Sequence, residues 1–107
     1  MVRRAKTTRF QDKGSAMEIS KIGIVGAGQM GNGIAHVCAL AGYEIWLNDV
    51  SQDQLDKGVA LIDRNLERQV SREKISAADK ASALARIHTT LHLSDLGKTD
   101  LVIEAAT

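Results

Sequence analysis

The chain has 107 residues, room for one small domain, with 44% hydrophobic and 25% charged residues and no proline, the balance of a globular protein. Its single cysteine, Cys38, excludes an internal disulfide and a cysteine-based zinc cluster. No apolar run approaches the ~18 residues that span a membrane, and the net charge of +1 conceals a basic N-terminal segment on a mildly acidic body.

Residues 1–16 carry Arg3, Arg4, Lys6, Arg9 and Lys13 against Asp12 and show no helical or strand period. An Arg-rich, acid-poor start has two functional readings, an organellar transit peptide or a nucleic-acid arm. Met17, just before the first strand-like run, favours a disordered leader upstream of the natural start. An apolar core for a secretory signal is missing. The body, residues 17–107, is therefore expected to be a cytoplasmic domain with no nucleic-acid or membrane partner.

From Met17 onward strands and helices alternate. Lys21 to Val25 is short, apolar and rich in β-branched residues, and reads as a buried strand. From Gln29 to Ala41 the residues Met30, Ile34, Val37, Cys38 and Ala41 recur at the spacing of one helix face. Gly42 follows as the residue that ends the helix, since glycine enters the left-handed region without steric cost. Glu44 to Asn48 reads as a second strand. Ser51 and Gln54 form a capping-box pattern, and Leu55, Val59, Ile62, Leu66 and Val70 then make one long apolar stripe. Ser76 and Asp79 give a second cap-like start, ahead of a shorter helix over Ala77 to Ala85. Arg86 to Leu91 and Asp100 to Ala105 read as strands three and four. The expected fold is therefore α/β, a partial Rossmann-type parallel sheet of about four strands in the order 3-2-1-4. A helical insertion follows strand two.

The turn between the first strand and the first helix reads Gly26-Ala27-Gly28-Gln29-Met30-Gly31, a G-x-G-x-x-G. Gly26 permits the tight turn, Gly28 lets a pyrophosphate approach the backbone, and Gly31 lets the helix pack closely. The helix N-terminus offers unpaired N–H groups to the phosphates. Glycine turns are common, but here a strand precedes and an amphipathic helix follows. An acid, Asp49, also stands eighteen residues after Gly31 at the end of strand two. Its carboxylate is placed to accept from adenosine ribose hydroxyls and to repel a 2′-phosphate, and Val50, Ser51 and Gln52 supply no arginine. The cofactor is expected to be NAD. The plainer alternative is that Asp49 only caps the second helix.

Other side chains carry weaker signals. His36 is expected at the surface, away from the apolar stripe. His88 and His92 lie near strand three with no acid at catalytic spacing, and Cys38 reads as a small core residue. Arg64, Arg68, Arg72 and Lys74 recur along and past the second helix, either as a solvated face or as a grip for a phosphorylated substrate. No catalytic residue and no metal ligand is assigned.

Lys21 to His36 (KIGIVGAGQMGNGIAH), Leu47 to Val50 (LNDV), the long helical insertion and Asp100 to Thr107 (DLVIEAAT) together resemble the 3-hydroxyacyl-CoA dehydrogenase family, nearest its bacterial 3-hydroxybutyryl-CoA branch. The resemblance covers essentially all of residues 17–107. It implies an oxidoreductase of fatty acid or butanoate metabolism that interconverts (S)-3-hydroxyacyl-CoA and 3-ketoacyl-CoA with NAD. It also implies that Gly26, Gly28, Gln29, Met30 and Gly31 line a pyrophosphate site, that Asp49 holds the adenosine ribose, and that Ala105 and Ala106 lie toward the nicotinamide. Arg68, Arg72 and Lys74 would then face the CoA nucleotide.

In the family the catalytic histidine and its partner glutamate follow in chain order beyond residue 107, as does the helical domain of the usual homo-oligomer. The sequence is accordingly expected to be the N-terminal, NAD-binding part, inactive alone and prone to self-associate along strand four. Alternatives are a non-catalytic nucleotide-binding module, or a Rossmann dehydrogenase of the 3-hydroxyisobutyrate or 6-phosphogluconate type.

Overall fold

In the computed structural model, which describes residues 18–106, four short strands form a parallel sheet. The leader and start assigned to residues 1–16 and Met17 lie outside the described residues. The strands are β1 (Lys21–Val25), β2 (Glu44–Asn48), β3 (Ile87–Thr90) and β4 (Leu101–Glu104), in the order β3-β2-β1-β4. Three helices connect them: α1 (Gln29–Leu40), α2 (Gln52–Ser71) and α3 (Ala77–Ala85). The expected strand order and the two-helix insertion after β2 are both present.

Period-two alternation sends Ile22, Ile24, Ile45, Leu47 and Ile103 into one core with Leu55, Ile62 and Leu66 of α2 and Ala83 of α3. In-register pairing sets Ile22 beside Ile45 and Leu101, and Ile24 beside Leu47 and Ile103. All the β1, β2 and β3 termini that precede α1, α2 and the 3₁₀ helix therefore fall at one end of the sheet, the end where α/β folds bind ligands.

Helix α1 departs from the expected stripe. Its buried residues are Gly31, Asn32, Ala35 and Ala39, whereas Met30 and Val37 are exposed and Ile34 and Cys38 half-buried. At Gly31 the helix comes so near the Gly26 carbonyl that no side chain fits, and further along small Ala35 and Ala39 are fully buried where α1 packs on the sheet, α2 and α3. Bulk, which dominates a hydrophobic pattern, is pushed to the flanks. Gly42 does end the helix region with φ +105°.

Helix α2 buries Leu55, Ile62 and Leu66 of its expected stripe, while Val59 and Val70 are only half-buried. Gly58, outside the stripe, is buried because its face meets the Ala27 carbonyl of the glycine turn. Its cap is only half of a capping box: the Ser51 hydroxyl accepts from the Gln54 N–H at 3.2 Å, but the Ser51 N–H goes to Asp49 Oδ1 at 3.1 Å. The reciprocal box occurs at α3, between Ser76 and Asp79. Lys80 ties the two helices by pairing with Asp63 and Glu67 of α2.

Strands three and four are shorter than expected at both ends. Arg86 is the C-cap of α3, and its guanidinium donates to Ala39 O at 2.7 Å. Leu91 lies past β3 and is exposed. Asp100 precedes β4 and accepts the Ser20 and Lys21 N–H groups, each at 2.9 Å, fastening β4 to the start of β1. A 3₁₀ helix over Leu93–Lys98 was not expected from the sequence. It covers the other sheet face by laying Leu96 over Gly23, where a β-carbon would come 2.7 Å from Leu96 Cγ.

Candidate nucleotide-binding site

The glycine turn is shaped by two close approaches. Gly26 has φ +104°, and a β-carbon there would lie 2.8 Å from the Ala106 nitrogen. At Gly31 a β-carbon would lie 1.7 Å from the Gly26 carbonyl oxygen. Neither position tolerates a side chain. Gly28 differs: nothing stands within 4 Å of where its β-carbon would be. It is the N-cap of α1 and no side chain caps it, so the N–H groups of the first turn precede the first intrahelical bond, Asn32 N–H to Gly28 O. The open face of the turn presents donors and a positive dipole end.

A cleft of about 530 Å³ opens here. Gly26, Gly28, Gln29 and Met30 line it from the turn and α1, Asp49 and Gln54 from the end of β2 and the start of α2, and Ala105 and Ala106 from the end of β4. The structure thus gathers seven of the eight residues named from the sequence. The eighth, Gly31, is buried behind the turn and acts by packing. Gln54 is the residue sequence reasoning missed, having been read only as a capping partner. Its place one turn past Asp49, at the same sheet end as the glycines, was the available signal.

Asp49 Oδ2 accepts from the Ala27 N–H at 2.9 Å, while Oδ1 takes Ser51 N–H. The Ala27 N–H above all holds this carboxyl below the usual carboxylate range; burial opposes it, and the Ser51 and Val50 amides add smaller pulls in the same direction as Ala27. Asp49 is therefore charged at neutral pH, and its bonds reach both the turn and the α2 N-cap rather than the cap alone. The residues fit a dinucleotide: a cradle that a β-carbon would fill, free N–H donors for phosphate, and an ionised acceptor on the rim of the same cleft just past the end of β2.

A second cleft, about 650 Å³, lies between α1 and α2. It brings together Arg68, Arg72 and Lys74 with Asn65, Gln69, Gly33, His36 and Val37. Arg64 is exposed and not among its lining residues. His36 is half-buried there rather than at the surface, because its Nε2 shares a 2.7 Å hydrogen bond with Gln69 Oε1. Lys74 is turned back onto the helix end by its own N–H, which bonds Gln69 O at 2.9 Å.

The reading of His88 also changes. His88 does have an acid: its Nε2 lies 2.8 Å from Glu44 Oε1, and its ring rests 4.6 Å from that of Trp46. The pairing sits near the N-terminal ends of β2 and β3, away from the nucleotide end. Cys38 is half-buried against the core, where burial pushes its thiol pKa up.

Residues 21–107 match the model of the 3-hydroxyacyl-CoA dehydrogenase NAD binding domain. The chain belongs to this family. Among curated proteins, the 3-hydroxybutyryl-CoA dehydrogenase of Bradyrhizobium diazoefficiens is 55% identical over 91 residues, 85% of this chain and 31% of that protein. The fatty acid oxidation complex subunit alpha of a Psychrobacter species is 40% identical over 91 residues, 85% of this chain and 13% of that protein. The crystal structure of (S)-3-hydroxybutyryl-CoA dehydrogenase from Ralstonia eutropha superposes with a TM-score of 0.82 at 51% identity, covering 84% of this chain and 32% of that one. This 3-hydroxyacyl-CoA dehydrogenase family member therefore spans a third or less of the length of these relatives, and the part it matches is their NAD binding domain. No helix among its described residues is long and apolar enough to cross a membrane.

Proposed function

We propose that the chain supplies the nucleotide half of an NAD-dependent 3-hydroxyacyl-CoA dehydrogenase of cytoplasmic fatty acid or butanoate metabolism, acting on short 3-hydroxyacyl-CoA. The observation that carries this reading is the cleft at the glycine turn, with Gly28 open to it and Asp49 on its rim. Bound NAD would supply a hydride acceptor for the carbon bearing the 3-hydroxyl. Gly26, Gly28, Gln29 and Met30 would hold the pyrophosphate against the first turn of α1, with Gly31 keeping that turn in place. Asp49 would accept from the adenosine ribose hydroxyls and exclude a 2′-phosphate by charge. Ala105 and Ala106, small and at the end of β4, would leave room toward the nicotinamide.

The second cleft supports a companion assignment. Arg68, Arg72 and Lys74 converge beside α1 and would face the phosphates of coenzyme A. Self-association is part of the same reading: β4 is one of the two outer strands of the described sheet, and Val102 on it is exposed. Isothermal calorimetry tests the central claim. NAD should bind more tightly than NADP, and Gly28→Val should abolish binding while the far-UV spectrum is retained. Equal NAD affinity in that variant would refute the assignment of the turn.

A further inference from the structure

We infer that Asp49 is a positioning residue that fixes the shape of the glycine turn before any nucleotide arrives, in addition to any contact it makes with a ribose. The inference rests on the nucleotide reading only for its binding consequences.

The bonds around the turn carry the argument. Its first two N–H groups are both claimed by the end of β2. Gly26 N–H donates to Asn48 O at 2.7 Å, and Ala27 N–H donates to Asp49 Oδ2 at 2.9 Å. The first of these is backbone to backbone and survives any side-chain change. The second depends entirely on the carboxylate. Ala27 itself is 2% exposed, and its carbonyl oxygen lies 3.1 Å from where a Gly58 β-carbon would stand. Ala27 is thus held by its N–H at Asp49 on one side and by its carbonyl against α2 on the other. Released from Asp49, a buried N–H would be left without an acceptor, which is costly enough to drive the peptide to turn.

The other carboxylate oxygen has a separate consequence. By accepting Ser51 N–H, Oδ1 takes the bond that the Gln54 side chain would make in a reciprocal capping box. Gln54 is thereby left to line the cleft. One carboxylate therefore coordinates the turn, the end of β2 and the α2 N-terminus. Cofactor choice cannot then be switched by changing Asp49 alone, because removing the charge that repels a 2′-phosphate also loosens the pyrophosphate cradle shared by both dinucleotides.

The test compares the full chain with Asp49→Ala, which removes both acceptor oxygens, and Asp49→Asn, which keeps the volume and one acceptor. Amide hydrogen exchange of Ala27 is followed in the ligand-free protein, and NAD and NADP affinities are measured by calorimetry. Asp49→Ala should speed Ala27 exchange at least tenfold relative to Ile24 in β1, with Asp49→Asn between it and wild type. NAD affinity should fall about tenfold to a hundredfold, and NADP affinity should not rise. Unchanged Ala27 exchange in both variants would overturn the inference, as would NADP binding that rises to the wild-type NAD level. Failure of the wild-type chain to bind either nucleotide would refute the proposed function instead, and the exchange rates would still decide the role of Asp49.

Discussion

Gly31 packs against Gly26 so closely that a β-carbon on the first would stand 1.7 Å from the carbonyl oxygen of the second. The contact joins the first turn of α1 to the end of β1 and holds the cradle shut from behind. Gly28, three residues earlier, has open space where its β-carbon would be. The motif thus contains two glycines required by packing, Gly26 and Gly31, and one, Gly28, that no neighbour in the fold requires.

Gly31 and Gly28 should separate folding from binding. Gly31→Ala forces backbone apart and should cost more than about 2 kcal/mol of stability, seen as a lower midpoint in urea unfolding. Gly28→Ala adds a methyl group at a residue whose backbone is already extended. It should change stability by less than about 0.5 kcal/mol while weakening NAD binding. Equal destabilisation by both variants would contradict this division.

The acid limb of stability should follow the carboxylates that accept backbone N–H groups. Asp49, Asp79 and Asp100 all sit below their usual range, held there chiefly by the N–H of Ala27, Ser76 and Ser20 respectively. A carboxyl whose folded pKa is depressed stabilises the fold above its unfolded value, about 3.9, and that contribution is lost as pH falls through the folded value. The melting temperature should therefore hold level down to about pH 5 and drop steeply below about pH 4. Asp100→Asn should lower the plateau and flatten the drop, because the β1–β4 tie it provides would no longer titrate. A drop of unchanged steepness in that variant would remove Asp100 from the account.

Much of this was legible in the sequence because its signals are local. The glycine turn, the end of β2 at Asn48 and the start of α3 at Ala77 each follow from residues within a few positions. The parallel sheet followed from strand-helix alternation, and the strand order from the Rossmann-type fold that the glycine turn signals. What was not legible depended on contacts distant in the chain. The small buried face of α1 is set by close packing against the turn at Gly31 and against β2, α2 and α3 beyond it, which a pattern that rewards bulk reads backwards. Glu44 meets His88 only because parallel register sets Trp46 beside His88. The 3₁₀ helix owes its place to Leu96 filling the space that Gly23 leaves.

Glu73 offers a stabilising change. It follows the C-cap of α2 with φ +58°, its N–H bonds Val70 O at 2.9 Å, and Lys74 N–H bonds Gln69 O at the same distance. That is the Schellman arrangement, in which glycine is the favoured residue at this position. Glu73→Gly should relieve a left-handed side-chain conformation costing about 1–2 kcal/mol, partly offset by the greater freedom of glycine in the unfolded chain. A net gain of up to about 1 kcal/mol is expected in thermal unfolding. A loss would show that the Glu73 side chain makes up for the strain.

The cleft between α1 and α2 should answer to coenzyme A and not to NAD. Arg68 and Arg72 lie one turn apart on and just past α2, and the Lys74 backbone is folded back onto Gln69, so three cations share one opening. His36 closes its inner side through Gln69, which fixes the spacing of α1 and α2 beneath them. The cations are exposed, so each should contribute no more than about 1 kcal/mol, or up to about fivefold in affinity. Screening should weaken the attraction, because the Debye length shortens from about 10 Å at 0.1 M salt to about 3 Å at 1 M. Calorimetry with coenzyme A on Arg72→Ala and on Arg68→Ala combined with Arg72→Ala should show stepwise losses of that size, and a wild-type affinity that falls with added salt. NAD affinity should be unchanged in both, because the glycine turn contacts none of these side chains. Coenzyme A binding that ignores both the substitutions and the salt would show that these cations are a solvated helix face.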